Sequence, residues 1–158
     1  MQPAATVSER RSRLSLPITL VITGMALTSC APRECYVFAF EGQHEDMPQA
    51  IVAADEWNDC GIAELRISDG KPYNAGDVPI IFVDGDLAGE PLDVVGIYVG
   101  HEHAIYYTHK STQLSAVLAH EMGHAMGLQH QPTGIMTWDM TATHVTSADC
   151  DALRRIKE

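Results

Sequence analysis

The stretch HEMGHAMGLQH, residues 120–130, sets three imidazoles and one carboxylate at intervals that can grip a divalent metal and put it to use. His120 and His124 lie one helical turn apart, so their rings leave the same face of a helix. Glu121, three residues before His124, reaches the same neighbourhood. A continuous helix would carry His130 roughly 600° past His124 and leave it about 120° away from a shared metal, so the helix must break first. Gly127 provides the break, because glycine enters the left-handed cap conformation without a Cβ clash. Three neutral nitrogens and no thiolate leave a tetrahedral ion one open position for water, the arrangement of a catalytic zinc. Zinc lowers the pKa of such a water towards about 7, which casts Glu121 as general base, taking that proton and later returning one to a leaving amine. Peptide-bond hydrolysis is the expected reaction. With this chain's own residue frequencies the pattern HExxHxxGxxH arises by chance with a probability of ~10⁻⁴, so coincidence is a poor account of it.

These side chains need a helix, a stop and a returning loop. Ser111 or Thr112 offers an N-cap to a helix through Leu114, Val117, Leu118 and Met122, which Gly127 ends. Upstream, Ile51, Ala54 and Trp57 recur at three-residue spacing between acidic residues, so Met47 to Asn58 reads as an amphipathic helix stopping at Gly61. AELRI, VPIIFV, DVVGIYV and AIYY are short and rich in β-branched or aromatic residues, and with YVFAF near Tyr36 they predict five strands of one sheet. Ser147 is positioned to cap a last helix through Leu153 and Ile156. The order of elements predicts a mixed α/β domain.

HEMGHAMGLQH followed by Gly134-Ile135-Met136 resembles the metzincin zinc-binding motif with its Met-turn, and the matrixin-like branch in particular. The resemblance implies an α+β fold, with a twisted, mostly parallel five-stranded sheet, an antiparallel edge strand, two long helices and a small C-terminal subdomain holding a final helix. It implies a zinc endopeptidase with His120, His124 and His130 as ligands and Met136 as an apolar floor under the metal. In metzincins the strand bordering the cleft binds substrate as an added antiparallel strand. DVVGIYV, residues 93–99, is the matching segment, with Val95, Gly96 and Ile97 as contact residues. Trp138 stands two residues after the Met-turn methionine, where some metzincins carry a tyrosine near the zinc. With the loop to His144 it is expected to line the pocket beyond the scissile bond. Taken alone, Met136 also reads as a core methionine, and Trp138 as an exposed loop residue.

Departures from the family pattern are visible. Gln131 follows the third histidine where many relatives have Asp. Pro32-Arg33-Glu34-Cys35 does not match the matrixin propeptide sequence PRCG, so no cysteine latency switch is expected. In weaker form the similarity runs through most of residues 36–156.

The N-terminal part reads as an address. Arg10, Arg11 and Arg13 precede the apolar run ITLVITGMAL, which is shorter than the about 20 residues a membrane-spanning helix needs. Leu27-Thr28-Ser29-Cys30 resembles the bacterial lipobox, in which the signal is cut before a cysteine that then carries lipid. Residues 1–29 are thus expected to be a lipoprotein signal peptide and 30–158 the catalytic domain, exported and anchored through Cys30. By the same resemblance Ala31 implies the outer membrane, with the body facing the periplasm or cell surface. Cys35, Cys60 and Cys150 remain in an oxidising compartment, where one disulfide leaves one thiol over. Cys60 with Cys150 is the preferred pair, since it joins an early helix to the last one; three buried thiols are the alternative.

The chain has 158 residues, 46% of them apolar, one domain's worth with enough hydrophobic material for a core. Loss of residues 1–29 removes three arginines and Glu9, so 10 basic and 21 acidic side chains become 7 and 20, a formal charge of -13. Such a surface repels phosphate backbones, which argues against nucleic acid as a partner, and repels anionic headgroups, which leaves the lipid as the membrane contact. A monomer acting on protein or peptide substrates is expected. Asp84, Asp86 and Glu90 form an acidic loop of the chemistry that holds calcium, and His101, Glu102 and His103 cluster at a turn, but neither has the spacing of a defined motif. Two other readings fit the same ligands: a non-catalytic zinc-binding surface lipoprotein, and a zinc hydrolase of a non-peptide bond.

Overall fold

A computed structural model of the chain describes residues 34–158, apart from positions 73, 88, 92 and 93. The export segment and the lipidation candidate Cys30 lie outside the described residues. Strands β1 (Cys35–Glu41), β2 (Glu64–Asp69), β3 (Val78–Phe82), β4 (Gly96–Val99) and β5 (Ala104–Tyr107) form one sheet in the order β2-β1-β3-β5-β4. All pairings are parallel except β4 with β5, so the expected antiparallel edge strand is β4. Phe38, Ala39 and Phe40 of β1 are buried in succession, as an interior strand covered on both faces requires. Phe40 sits opposite Ile80, and Ile80 opposite Ile105, which carries the apolar centre across three strands.

The edge strand is shorter than its sequence implies. Among the described residues pairing begins at Gly96, and Val94 N–H donates to Pro91 O at 3.0 Å rather than to β5. Val95 still contributes its carbonyl, which accepts from Thr108 N at 3.0 Å.

Among the described residues three α-helices accompany the sheet: α1 (Met47–Asn58), α2 (Leu114–Ala125) and α3 (Ser147–Lys157). Helix α1 starts with a proline in its first turn, where the missing N–H costs nothing, and buries Ala50, Ala53, Ala54 and Trp57. Ile51, expected on that inner face, is 43% exposed, because the alanine side of the helix is the one turned inward. The small side chains allow close approach, and Trp57 Nε1–H reaches across to Ala119 O of α2 at 2.8 Å.

Helix α2 is buried without interruption from Ala116 to Gly123, as the central helix of the core must be. Its N-cap is Gln113, with no side-chain cap; Ser111 Oγ instead accepts from Gln113 N at 3.0 Å, so neither Ser111 nor Thr112 caps the helix. Helix α3 is capped by Thr146 rather than Ser147. Thr146 and Asp149 stand three apart and cap each other's backbone amides, a reciprocal arrangement that Ser147 is one residue too late to make. Cys60, just beyond α1, is bonded to Cys150 in α3, the preferred pairing. Among the described residues no cysteine is a free thiol, which corrects the expectation that one would be left over.

Candidate metal centre

Where α2 stops decides where the third imidazole goes. Gly127 takes φ 101°, its N–H donates to His124 O at 2.9 Å, and Leu128 N–H donates to Gly123 O at 2.9 Å. This is a Schellman ending, which satisfies the last carbonyls of the helix and turns the chain sharply back. The reversal brings His130 to the two histidines still on the helix. His120 Nε2 lies 3.1 Å from His124 Nε2 and 3.2 Å from His130 Nε2.

The other nitrogens of the helical pair are engaged by backbone carbonyls. His120 Nδ1–H donates to Ile135 O at 2.7 Å, and His124 Nδ1–H donates to Leu128 O at 2.8 Å. A carbonyl only accepts, so these bonds put the proton on Nδ1 and leave the Nε2 lone pairs facing one another. Burial pulls His120 down to about 4, with the Ile135 carbonyl opposing, and burial lowers His130 as well, so these two imidazoles are held neutral. The Nε2 lone pairs of His120 and His124, 3.1 Å apart with no proton between them, repel unless a cation joins them. Four ligands at about 2.05 Å in a tetrahedron stand roughly 3.3 Å apart, close to the spacings found, so the donor set fits zinc. Among the described residues these three histidines are the one group of three side chains assembled for a metal.

The support for this centre comes from α3 and the turn before it. Asp149 is wholly buried, and its Oδ2 accepts from Ile135 N at 2.9 Å, Thr146 N at 2.9 Å and Thr146 Oγ1 at 2.6 Å, while Oδ1 accepts from Met136 N at 3.3 Å. The Ile135–Met136 peptide unit, whose N–H donates to Asp149, offers its carbonyl to His120. Gly134, at φ 87°, has no room for a side chain, since a Cβ would lie 2.3 Å from the Asp149 carboxylate. Met136 is fully buried against Gly123, where a Cβ would lie 2.4 Å from its sulfur.

Glu121 is 5% exposed, and its Oε2 accepts from Tyr98 N of β4 at 2.7 Å. Burial pushes this carboxyl up to about 7, with the Tyr98 bond pulling the other way. Among the described residues no donor engages Oε1. Between β4 and α2 opens a cleft of about 540 Å³, with Val95, Gly96 and Ile97 along one side and His120, His124, His130 and Glu121 within it. Trp138, 82% exposed, also lines the cleft. Of the residues named from the sequence, Val95, Gly96, Ile97, His120, Glu121, His124, His130 and Trp138 line the cleft, while Met136 packs on Gly123 of α2 and Gly127 lies outside the lining.

Other candidates are taken up locally. Asp86 pairs with Lys110, and among the described residues Asp84, Asp86 and Glu90 are not grouped as a metal cluster, so nothing supports calcium there. His103 Nδ1 bonds Tyr98 Oη at 2.7 Å, and Glu102 accepts from Tyr106 Oη. Sequence reasoning missed Tyr98 and Asp149. Asp149 had a readable signal in the Thr146-to-Asp149 capping spacing, whereas Tyr98 acts through a backbone amide that every residue type shares.

A five-stranded sheet with one antiparallel edge, packed on a helix that carries two histidines and ends at a glycine, defines a zincin-like α+β domain with a three-histidine centre. The matrixin peptidase family model matches residues 54–157, and the chain belongs to that family. Among solved structures it is similar to a zinc-dependent peptidase from Methanocorpusculum labreanum (strain Z), at 12% identity and a TM-score of 0.50, over 74% of this chain and 99% of that one. No curated protein matches the chain.

Proposed function

We propose that the chain is a zinc metalloendopeptidase, with residues 30–158 as its catalytic domain. The observation that carries this reading is the convergence of three imidazole nitrogens, two with their protons committed to carbonyls, beside a buried carboxylate on the same helix. His120, His124 and His130 would hold the metal. When bound, zinc supplies Lewis acidity towards a water and the carbonyl oxygen of the scissile bond. Glu121 acts as general base: Oε2 is occupied by Tyr98 N–H, so Oε1 takes the proton from the attacking water and later passes it to the leaving amine. A substrate in extended form adds to the outer edge of β4 beside Gly96, where main-chain pairing supplies affinity without demanding a particular side chain. Gly127 serves by ending the helix, and Met136 by forming the apolar floor. The chain acts as a monomer on protein or peptide substrates.

The test uses the intact protein and a peptide library. The wild type should bind zinc and cut internal peptide bonds, lose cutting on chelation and regain it with zinc. Glu121→Gln should keep the metal and lose 10²- to 10⁴-fold in turnover. Zinc binding without cleavage of any peptide or denatured protein favours the non-catalytic reading; cleavage of esters or non-peptide amides alone favours the other hydrolase.

For the N-terminal part we propose the lipoprotein reading: residues 1–29 direct export, Cys30 carries lipid, and the acidic body faces the periplasm or cell surface from an outer-membrane anchor. Metabolic labelling with a fatty-acid analogue tests it, since label should enter the wild type and not Cys30→Ser.

A further inference from the structure

The three histidines are not held in the same way. His120 and His124 sit on α2 and are each oriented by a carbonyl that accepts from Nδ1. His130 sits on the loop beyond Gly127, and among the described residues its Nδ1 has no such acceptor. Its ring lies instead against the indole of Trp138, with centroids 3.8 Å apart and planes 28° from parallel. A stack of this kind restricts rotation of the smaller ring while leaving both of its nitrogens in its own plane and accessible.

The backbone builds this meeting. Gln131 N–H donates to Met136 O at 2.9 Å, so the segment leaving His130 is tied to the one entering Trp138. Thr137 Oγ1–H donates to Gly134 O at 3.2 Å, and Met140 N–H to Thr137 O at 3.2 Å, which tightens the turn on either side of the indole. The two residues are eight apart in sequence and come face to face because these bonds set the loop's return. Trp138 contributes little to the core, since it is 82% exposed, whereas the other tryptophan, Trp57, is fully buried.

We propose that Trp138 is a positioning residue for the third metal ligand: its indole face takes the place of the hydrogen bond that His130 lacks and keeps His130 Nε2 turned towards those of His120 and His124. The inference rests on the zinc reading above. Groups that orient a ligating histidine typically matter 10- to 100-fold in metal affinity, and the stack should fall in or just below that range. A planar apolar ring is what the role demands, so phenylalanine should serve and alanine should not.

The experiment measures Zn2+ affinity by competition with a chromophoric chelator, and the visible absorption of the Co2+-loaded protein, for the wild type, Trp138→Ala and Trp138→Phe. Trp138→Ala should weaken Zn2+ binding about 10-fold or more and change the Co2+ spectrum, and Trp138→Phe should recover most of both. Melting of the metal-free proteins should be unchanged, as expected for an exposed side chain. Wild-type affinity and spectrum in Trp138→Ala would overturn the inference, and so would an equal loss in both variants. A wild type that binds no Zn2+ overturns the zinc reading itself, so the two failures are distinguishable.

Discussion

Tyr98 N–H on the edge strand donates to Glu121 Oε2 on the central helix at 2.7 Å, across 23 residues of sequence. One bond thereby joins the strand that borders the cleft to the carboxylate proposed to move the proton. It consumes one oxygen of that carboxylate and sets how far β4 stands from α2. The same proximity leaves no space for a side chain at Gly96, where a Cβ would lie 2.4 Å from Val117 Cγ1 and 3.4 Å from Glu121 Cγ.

Gly96→Ala should therefore push β4 off α2 and loosen the Tyr98–Glu121 bond without touching a metal ligand. Displacements of this order around a reacting group lower kcat/KM roughly 10- to 100-fold. Zinc affinity should stay within about twofold, because neither Ile135 nor Leu128, the carbonyl partners of the histidines, is moved. Peptide kinetics together with zinc titration check this; unchanged kinetics would mean the strand has slack that the packing does not reveal.

Asp149→Ala removes a buried carboxylate that accepts from two amides of the Met-turn and caps α3 through Thr146. A lost cap is worth about 1 kcal/mol and a buried amide left unpaired about 1–3 kcal/mol, so a loss of about 3 kcal/mol or more is expected. For a domain of this size that corresponds to a Tm lower by roughly 10 °C. Thermal unfolding of the metal-free protein measures it, and a shift of only 1–2 °C would show that water replaces the carboxylate.

The Cys60–Cys150 bond closes a segment with a sequence separation of 90. Restricting an unfolded chain over such a loop contributes up to about 4.6 kcal/mol in the chain-entropy description, and measured values for disulfides usually fall at 2–4 kcal/mol. Replacing both cysteines by alanine should lower unfolding stability by about 3 kcal/mol while zinc binding at saturating metal persists. Urea titration of the double variant is the check.

In the metal-free protein, burial raises Glu121 from 4.5 to about 7 and lowers His120 from 6.5 to about 4, and these two shifts act in opposite directions on stability. The stability linked to Glu121 is present below pH 4.5 and is lost as pH rises through about 7, because the native state keeps a proton that the unfolded chain has released. The stability linked to His120 is present above pH 6.5 and is lost as pH falls through about 4, because the unfolded chain takes up a proton first. Over pH 4.5 to 6.5 the slopes oppose, so Glu121→Gln should gain stability with rising pH more steeply than the wild type. Urea midpoints of both proteins across that window test the sign, and parallel profiles would refute it.

Read alone, the amino-acid order picked out His120, His124 and His130 as candidate ligands, Glu121 as candidate base and Gly127 as the break in the helix. They were legible from short spacings: one helical turn from His120 to His124, the left-handed cap that only glycine enters freely, and His130 three residues beyond that cap. Strand identity followed from β-branched and aromatic runs for the same local reason, and the edge position and antiparallel sense of β4 followed from the metzincin resemblance. Tertiary structure decided the rest. It turned the alanine side of α1 inward and left Ile51 in water, began β4 at Gly96, moved the cap of α3 to Thr146, and set Trp138 against His130. It also chose Ile135 O for His120, 15 residues away, and Tyr98 N for Glu121. Backbone amides and carbonyls are chemically alike at nearly every position, so their sequence carries no sign of which will meet a distant side chain. That choice belongs to the packing that brings remote segments together.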